Sequence, residues 1–219
     1  MTTRIILVRH GETEWNDQSR VQGHSDIPMN AKGIRQAELA AIALRDELVA
    51  AVLTSDLGRA METGRIIAEQ HQAPLSTHPG IRERCWGVWE GLTMAEIASI
   101  DPERHAALRR GEWVTPDGAE SWRAMKQRIL KTIGTFADKH PGKTIVVATH
   151  GGTIKAFVSA FLGVRRTGRG SMRISNGGIS VVLRRADHWT LETYNSTAHL
   201  TDTPESSEPS GKRLIEAAF

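Results

Sequence analysis

Residues 4–13 read Arg4-Ile5-Ile6-Leu7-Val8-Arg9-His10-Gly11-Glu12-Thr13. Four aliphatic residues in an unbroken run, stopped at once by Arg-His-Gly, describe a short strand buried on both faces, because a strand with one wet face would alternate apolar and polar residues. Such strands belong to mostly parallel sheets covered by helices.

The pattern recurs outward along the chain. Ala51-Val52-Leu53-Thr54 and Thr144-Ile145-Val146-Val147-Ala148-Thr149 read as further buried strands, with a short extended piece at 75–77 and two more strands at 179–184 and 189–194. Helical periodicity fills the intervals. Asn30 caps a helix carrying Ile34, Ala37, Ala41, Leu44 and Leu48, and Ser55 opens another with Leu57, Ala60, Met61, Gly64, Ile67 and Ala68 on one face. Thr93 and Glu96 have capping-box spacing for a short helix. Ser121 caps a long helix with Trp122, Met125, Ile129, Ile133 and Phe136, ended by Pro141-Gly142, and a last helix is predicted over 153–162. Residues 101–120, with two prolines and two glycines, read as an irregular excursion. The prediction is an α/β, three-layer sandwich with a mostly parallel central sheet flanked by helices, one domain over residues 1–200, and a polar, loose tail from 201 to 219.

Composition agrees with this and excludes other classes. A chain of 219 residues buries roughly 70% of the surface that it exposes unfolded, so the lone Cys85 need not staple anything. No apolar run reaches 18 residues, no signal peptide is readable, and a cytoplasmic, soluble protein with no membrane partner is expected. Net charge is +3, too mild and dispersed for nucleic acid. The basic residues are 21 Arg and 7 Lys; a guanidinium grips phosphate or carboxylate with two bonds, and a GC-rich genome gives the same bias without chemical cause.

In parallel sheets ligands bind beyond the carboxyl ends of the strands. Here those ends carry Arg9-His10-Gly11, then Thr54-Ser55-Asp56 with Arg59 one turn on, then His150-Gly151-Gly152. Two histidines and two arginines on three strand ends suit phosphoryl transfer: a neutral imidazole can attack phosphorus, and arginines spread hydrogen bonds over the transferring oxygens. The same arginines disfavour imidazolium and keep His10 nucleophilic. Metal-ligand spacings, Walker and dinucleotide glycine patterns are absent, so no metal and no cofactor are predicted.

Leu7-Val8-Arg9-His10-Gly11-Glu12-Thr13-Glu14-Trp15-Asn16 resembles the opening signature of the histidine phosphatase superfamily, phosphoglycerate mutase-like branch. The likeness continues through Gln22-Gly23, Thr54-Ser55-Asp56-Leu57-Gly58-Arg59-Ala60, Ile81-Arg82-Glu83-Arg84 and His150-Gly151-Gly152, in family order over roughly residues 4–195. The resemblance implies that His10 is the nucleophile that becomes phosphohistidine, that Arg9, Arg59 and His150 surround the phosphoryl oxygens, and that Glu83 protonates the departing oxygen and later deprotonates water. It also implies substrate contacts from Asn16, the backbone at Gln22-Gly23 and the N–H of Gly151. Bland rivals stand beside these roles: structural ion pairs for Arg9 and Arg59, a solvated cluster for Glu83 between Arg82 and Arg84, and packing for Trp86 and Trp89. His24, His71, His78, His105, His140, His188 and His199 have no pattern beyond surface or structural use.

The family holds phosphatases and mutases. Its mutases carry a basic clamp of tandem arginines followed by Ser, and Asn-Ser-Leu-Arg after the second histidine. Here Arg109-Arg110 runs into Gly111-Glu112-Trp113, Gly118-Ala119-Glu120-Ser121 looks like the phosphatase members, and Gly152-Thr153-Ile154-Lys155 follows His150. The resemblance therefore favours a metal-independent phosphomonoester hydrolase acting on a small phosphorylated metabolite, as monomer or homodimer. The alternatives are a cofactor-dependent phosphoglycerate mutase and a non-catalytic phospho-ligand binder.

Overall fold

The computed structural model describes residues 1–163, 172–186 and 188–201; most of the expected tail and residue 187 of the last strand connection lie outside them. Along the chain the elements are β1 (Thr2–Arg9), α1 (Glu14–Asp17), α2 (Ala31–Ala43), β2 (Val49–Thr54), α3 (Gly58–His71), β3 (Leu75–Thr77), α4 (Met94–Ile100), α5 (Pro102–Arg109), α6 (Trp122–Asp138), β4 (Thr144–Thr149), α7 (Gly151–Phe161), β5 (Ile179–Arg185) and β6 (His188–Ser196). The six-stranded sheet has the order β3-β2-β4-β1-β5-β6. Only β5 runs against the others, being antiparallel to both β1 and β6.

The unbroken apolar run of β1 is explained by its two covered faces. Ile5 and Leu7 pack with Leu53, Ile145 and Val147 against Met125, Ile129 and Ile133 of α6 and Ile154 and Phe157 of α7. Ile6 and Val8 turn the other way, with Val52 and Val146, onto Ala40 and Ala41 of α2 and Ile67 of α3. Each such side chain contributes about 1.5–3 kcal/mol on burial. A third, smaller cluster gathers Val21, Trp86, Trp89, Ile97, Leu108 and Val114; Trp86 and Trp89 therefore pack under their loop, with Trp89 fully buried.

Register then sets the site. Arg9 lies opposite Thr149 on β4, and Thr54 opposite Ala148, so three adjacent strands end at one level. His10 and Ser55 continue the ladder by donating to the carbonyls of Thr149 (2.8 Å) and Ala148 (3.1 Å).

Four expectations need correction. The helix after β2 starts at Gly58, not Ser55: the Ser55 hydroxyl accepts from Leu57 N–H, and the cap comes from Asp26, which accepts from Gly58 N–H at 2.7 Å. Within that helix Met61 faces out, 43% exposed. The helix capped by Asn30 stops at Ala43, leaving Leu48 90% exposed. Residues 101–120 are not wholly irregular, because Asp101 caps α5 and Pro102 fills its first position, where no N–H is missed. Finally, α7 begins at Gly151 rather than 153, with His150 as its N-cap.

Candidate active site

His10 is held by its backbone before its ring is considered. Its N–H is bonded to β4, while its carbonyl accepts from Asn176 Nδ2 at 3.1 Å and from Gly177 N–H at 3.3 Å, in the turn before β5. Gly11 allows the chain to turn there: a Cβ on it would lie 2.0 Å from the Gly33 carbonyl oxygen at the start of α2. The His10 ring is 3% exposed, and its Nδ1 lies 2.7 Å from the Gly11 carbonyl oxygen. A carbonyl can only accept, so Nδ1 carries the proton and Nε2 keeps its lone pair.

His150 stands edge-on to it, ring centroids 5.2 Å apart and planes at 61°. It is fully buried, and neither ring nitrogen has a hydrogen-bond partner among the described residues. A buried polar group left unsatisfied in this way is a ligand-binding signal, since it forfeits a hydrogen bond that water would have supplied. Burial, then the charges of Arg59 and Arg9, hold the His10 ring well below the usual histidine range, against a weak upward pull from its bond to Gly11. His150 is depressed likewise by burial, then by Arg59, His10, Arg9 and Arg128. Both rings are therefore neutral at pH 7.

The sign of the resulting pH dependence is fixed. Unfolded histidines take up protons near pH 6.5 while these two folded rings do not, so stability present above that pH is lost as pH falls below it, by up to about 1.4 kcal/mol per pH unit for each ring. The melting temperature is expected to drop steadily from pH 6.5 to 5, with His150→Ala removing about half of the slope. A slope unchanged in that variant would refute the assignment.

Arg59 extends from the first turn of α3 and is 1% exposed. Its Nη1 and Nη2 donate to the carbonyls of Ser25 and Gly23, both at 2.8 Å, while its Nε is buried without a partner. It has no ion pair among the described residues, and burial lowers its pKa to about 10 although the Glu83 charge opposes this; it stays a cation. Arg9 donates to the Ile174 carbonyl at 2.6 Å and packs against the start of α7, where a Cβ on Gly151 would sit 3.4 Å from its Nε. The ion-pair reading thus fails for Arg59.

Asn16 has its Oδ1 occupied by Thr13 N–H (3.2 Å) and Asn176 Nδ2 (3.0 Å), leaving its own Nδ2 to donate. Gln22 is 8% exposed with Oε1 buried and unpartnered. Gly23 gives its carbonyl to Arg59, and its N–H makes no hydrogen bond among the described residues. Gly151 supplies the first N–H of α7, at the positive end of the helix dipole.

Glu83, Arg82 and Arg84 go three separate ways rather than forming one solvated cluster. Arg82 makes a two-pronged pair with Asp56 at 2.7 and 2.6 Å. Arg84 is buried, donates to the carbonyls of Glu120 and Val114, and lies 4.3 Å over the Trp86 ring. Glu83 accepts from Gly152 N–H at 2.8 Å and from Arg84 N–H at 2.7 Å. A Cβ on Gly152 would lie 2.2 Å from Glu83 Oε1, so Gly152→Ala must expel the carboxylate. Turnover of an alkyl phosphate should fall on the order of 100-fold, the usual result of a misplacement near 1 Å, with phosphate affinity retained in a binding titration; unchanged turnover would show that Glu83 is not needed where it sits.

Sequence reasoning missed the supporting residues. His24, set aside as a surface or structural histidine, has Nε2 at 2.9 Å from the Glu83 carbonyl oxygen. Glu90 accepts from the N–H groups of His24, Ser25 and Trp86 and from the Ser25 hydroxyl, which together outweigh the upward effect of its burial and lower its pKa. Asn176 locks Asn16 to His10. Among the described residues no group of three or more His, Cys, Asp or Glu is arranged to hold a metal ion, and no helix is long and apolar enough to cross a membrane.

A dry, cationic recess at the carboxyl edge of a parallel sheet, with a free imidazole nitrogen and a helix N-terminus turned to it, marks an α/β protein built to receive a tetrahedral anion. The family model of the histidine phosphatase superfamily (branch 1) matches residues 5–197, and the chain belongs to that superfamily, whose members bind small phosphorylated substrates. It is 36% identical over 204 residues to phosphoglycerate mutase-like protein 4 of Arabidopsis thaliana, covering 91% of this chain and 87% of that protein. It is 32% identical over 203 residues to the metal-independent phosphoserine phosphatase of the same plant, covering 91% and 84%. Among solved structures, Bacillus stearothermophilus YhfR superposes with a TM-score of 0.84 at 28% identity, over 90% of this chain and 99% of that one.

Proposed function

We propose that this protein is a metal-independent phosphomonoesterase that hydrolyses a small phosphorylated metabolite through a phosphohistidine on His10. Arg9, Arg59, His150, Asn16 Nδ2 and the N–H groups of Gly23 and Gly151 hold the three non-bridging oxygens. His10 Nε2 attacks phosphorus as the P–O bond to the organic group breaks, and Glu83 gives that oxygen a proton. Water then enters, Glu83 takes its proton, the water oxygen bonds to phosphorus and the N–P bond breaks, which releases phosphate and restores His10.

The choice of hydrolase over mutase rests on the tandem arginines. Arg109 and Arg110 close α5 in exposed positions, and Arg110 is paired with Glu112, so they are poorly placed to clamp a second phosphorylated sugar acid. Likeness to a phosphoserine phosphatase supports the same choice and makes phosphoserine a first substrate to try; likeness to a mutase-like protein keeps phosphoglycerate isomerisation as the second reading. The test is phosphate release from a phosphomonoester panel, with and without EDTA, beside conversion of 3- to 2-phosphoglycerate. Hydrolysis indifferent to EDTA and well above isomerisation is expected. Dominant isomerisation would make the protein a mutase, and inhibition by EDTA would remove the metal-free mechanism.

A further inference from the structure

The segment that carries Glu83 has no strand partner, yet four successive carbonyls in it, from residue 80 to 83, all accept hydrogen bonds from side chains. Thr149 Oγ1 donates to Ile81 at 2.7 Å and Thr153 Oγ1 to Arg82 at 2.8 Å. Arg128 of α6 reaches the other two and shares one: its Nη1 donates to the carbonyls of Gly80 (3.2 Å) and Arg82 (2.8 Å), and its Nη2 to that of Glu83 (2.8 Å). The remaining two N–H groups of the same guanidinium go to Glu120, Nε to Oε1 at 2.6 Å and Nη2 to Oε2 at 2.8 Å. All five donors of one arginine are therefore used, three on the segment and two on a carboxylate that fixes the plane of the fork. The pair is mostly shielded, with side chains 22% and 17% exposed.

We propose that Arg128, oriented by Glu120, is the positioning residue for the acid–base group Glu83, an inference that rests on the role given to Glu83 above. The Glu83 side chain has only two holds of its own, the N–H groups of Gly152 and Arg84. Where its carboxylate lies relative to His10 Nε2 is thus decided by where the main chain of 80–83 lies, and Arg128 binds three of those four carbonyls. A lysine could not reproduce this, having three donors and no planar fork. Glu120 also closes the 101–120 excursion, and its backbone carbonyl holds Arg84 at 2.8 Å. The placement of the acid is in this way tied to the segment expected to read the non-phosphate half of the substrate.

A residue that merely supports the fold would lower all activities together, whereas one that positions a proton donor is felt in proportion to how badly the leaving group needs the proton. The comparison is kcat/KM for phosphoserine, whose alkoxide leaves poorly, against p-nitrophenyl phosphate, whose phenolate leaves unaided; kcat/KM reports transfer to His10 and is blind to the later hydrolysis. Arg128→Met is expected to lower the phosphoserine value about 10- to 100-fold and the p-nitrophenyl phosphate value less than about 3-fold, with Arg128→Lys between Met and wild type. Combined with Glu83→Gln, Arg128→Met should add nothing, because the group it positions is gone. Glu120→Gln carries the same comparison at a smaller, roughly 3- to 10-fold, loss if the Met variant does not fold. Equal losses on both esters, multiplied losses in the double variant, or no loss at all would overturn the proposal. If Glu83→Gln by itself shows no preference between the esters, the acid–base reading of Glu83 falls and takes the positioning role with it.

Discussion

His10→Ala is expected to lower turnover of every phosphomonoester by at least about 10⁴-fold, the scale on which loss of a covalent nucleophile is felt, and to abolish acid-labile phosphate on the protein at the same time. The two losses must go together, because a hydrolase and a mutase of this superfamily would share the first transfer to His10 Nε2. The substitution should spare the recess. The His10 N–H bond to Thr149 and the bonds of Asn176 and Gly177 to its carbonyl belong to the backbone, and Arg9, Arg59 and His150 keep their own anchors. Inorganic phosphate at a hundred times its Kd should accordingly still stabilise the variant by about 2.7 kcal/mol, readable as a rise in melting temperature. Retained turnover would eliminate the phosphohistidine route. Lost turnover without any phosphate-induced stabilisation would show instead that the ring is needed to build the recess, and a non-catalytic binder would lose nothing measurable in activity.

What made the fold and the centre of the site readable in the sequence was proximity along the chain. Arg9 and His10 follow one strand, His150 follows another, and Arg59 is one turn into a helix, so the rule that parallel sheets bind at their carboxyl ends collected them without coordinates. Groups that meet only through tertiary packing were invisible. Arg128 is the instructive case: on α6 it is three residues from Met125 and next to Ile129, so a charge adjoins the apolar stripe, and that anomaly was the available signal. Asn176 sits in a polar turn that nothing in its neighbourhood marks. Where the expected elements erred, a tertiary partner supplied the reason: Asp26, 32 residues away, caps α3 and moves its start from Ser55 to Gly58. Glycine carried double meaning as well. Gly152 was read as permitting a ligand to approach, whereas the group that fills the space of its missing Cβ is Glu83.

Arg59→Met should separate catalysis from stability more sharply than any other change in the molecule. Taking a guanidinium out of water costs several kcal/mol unless a carboxylate answers it, and Arg59, 1% exposed, has no such partner among the described residues. Two charge-assisted bonds to the Ser25 and Gly23 carbonyls return about 3–6 kcal/mol of this. The two terms nearly cancel, so a methionine of similar volume is expected to leave the melting temperature within about 4 °C of wild type, although the carbonyls lose their donors. Removal of one member of a buried structural ion pair would instead cost 3–5 kcal/mol, about 10 °C for a chain of this size. Catalysis has no such compensation. The unpartnered Nε and the undiluted positive charge face the phosphoryl oxygens in the proposed complex, and loss of a transition-state arginine is worth on the order of 10³-fold in kcat/KM. The phosphate-induced rise in melting temperature should shrink with it, since the same guanidinium binds the ground-state dianion. A variant that melts 10 °C lower while its folded fraction keeps wild-type kcat/KM would return Arg59 to the scaffold and leave Arg9, His150 and the N-terminus of α7 to hold the phosphoryl group without it.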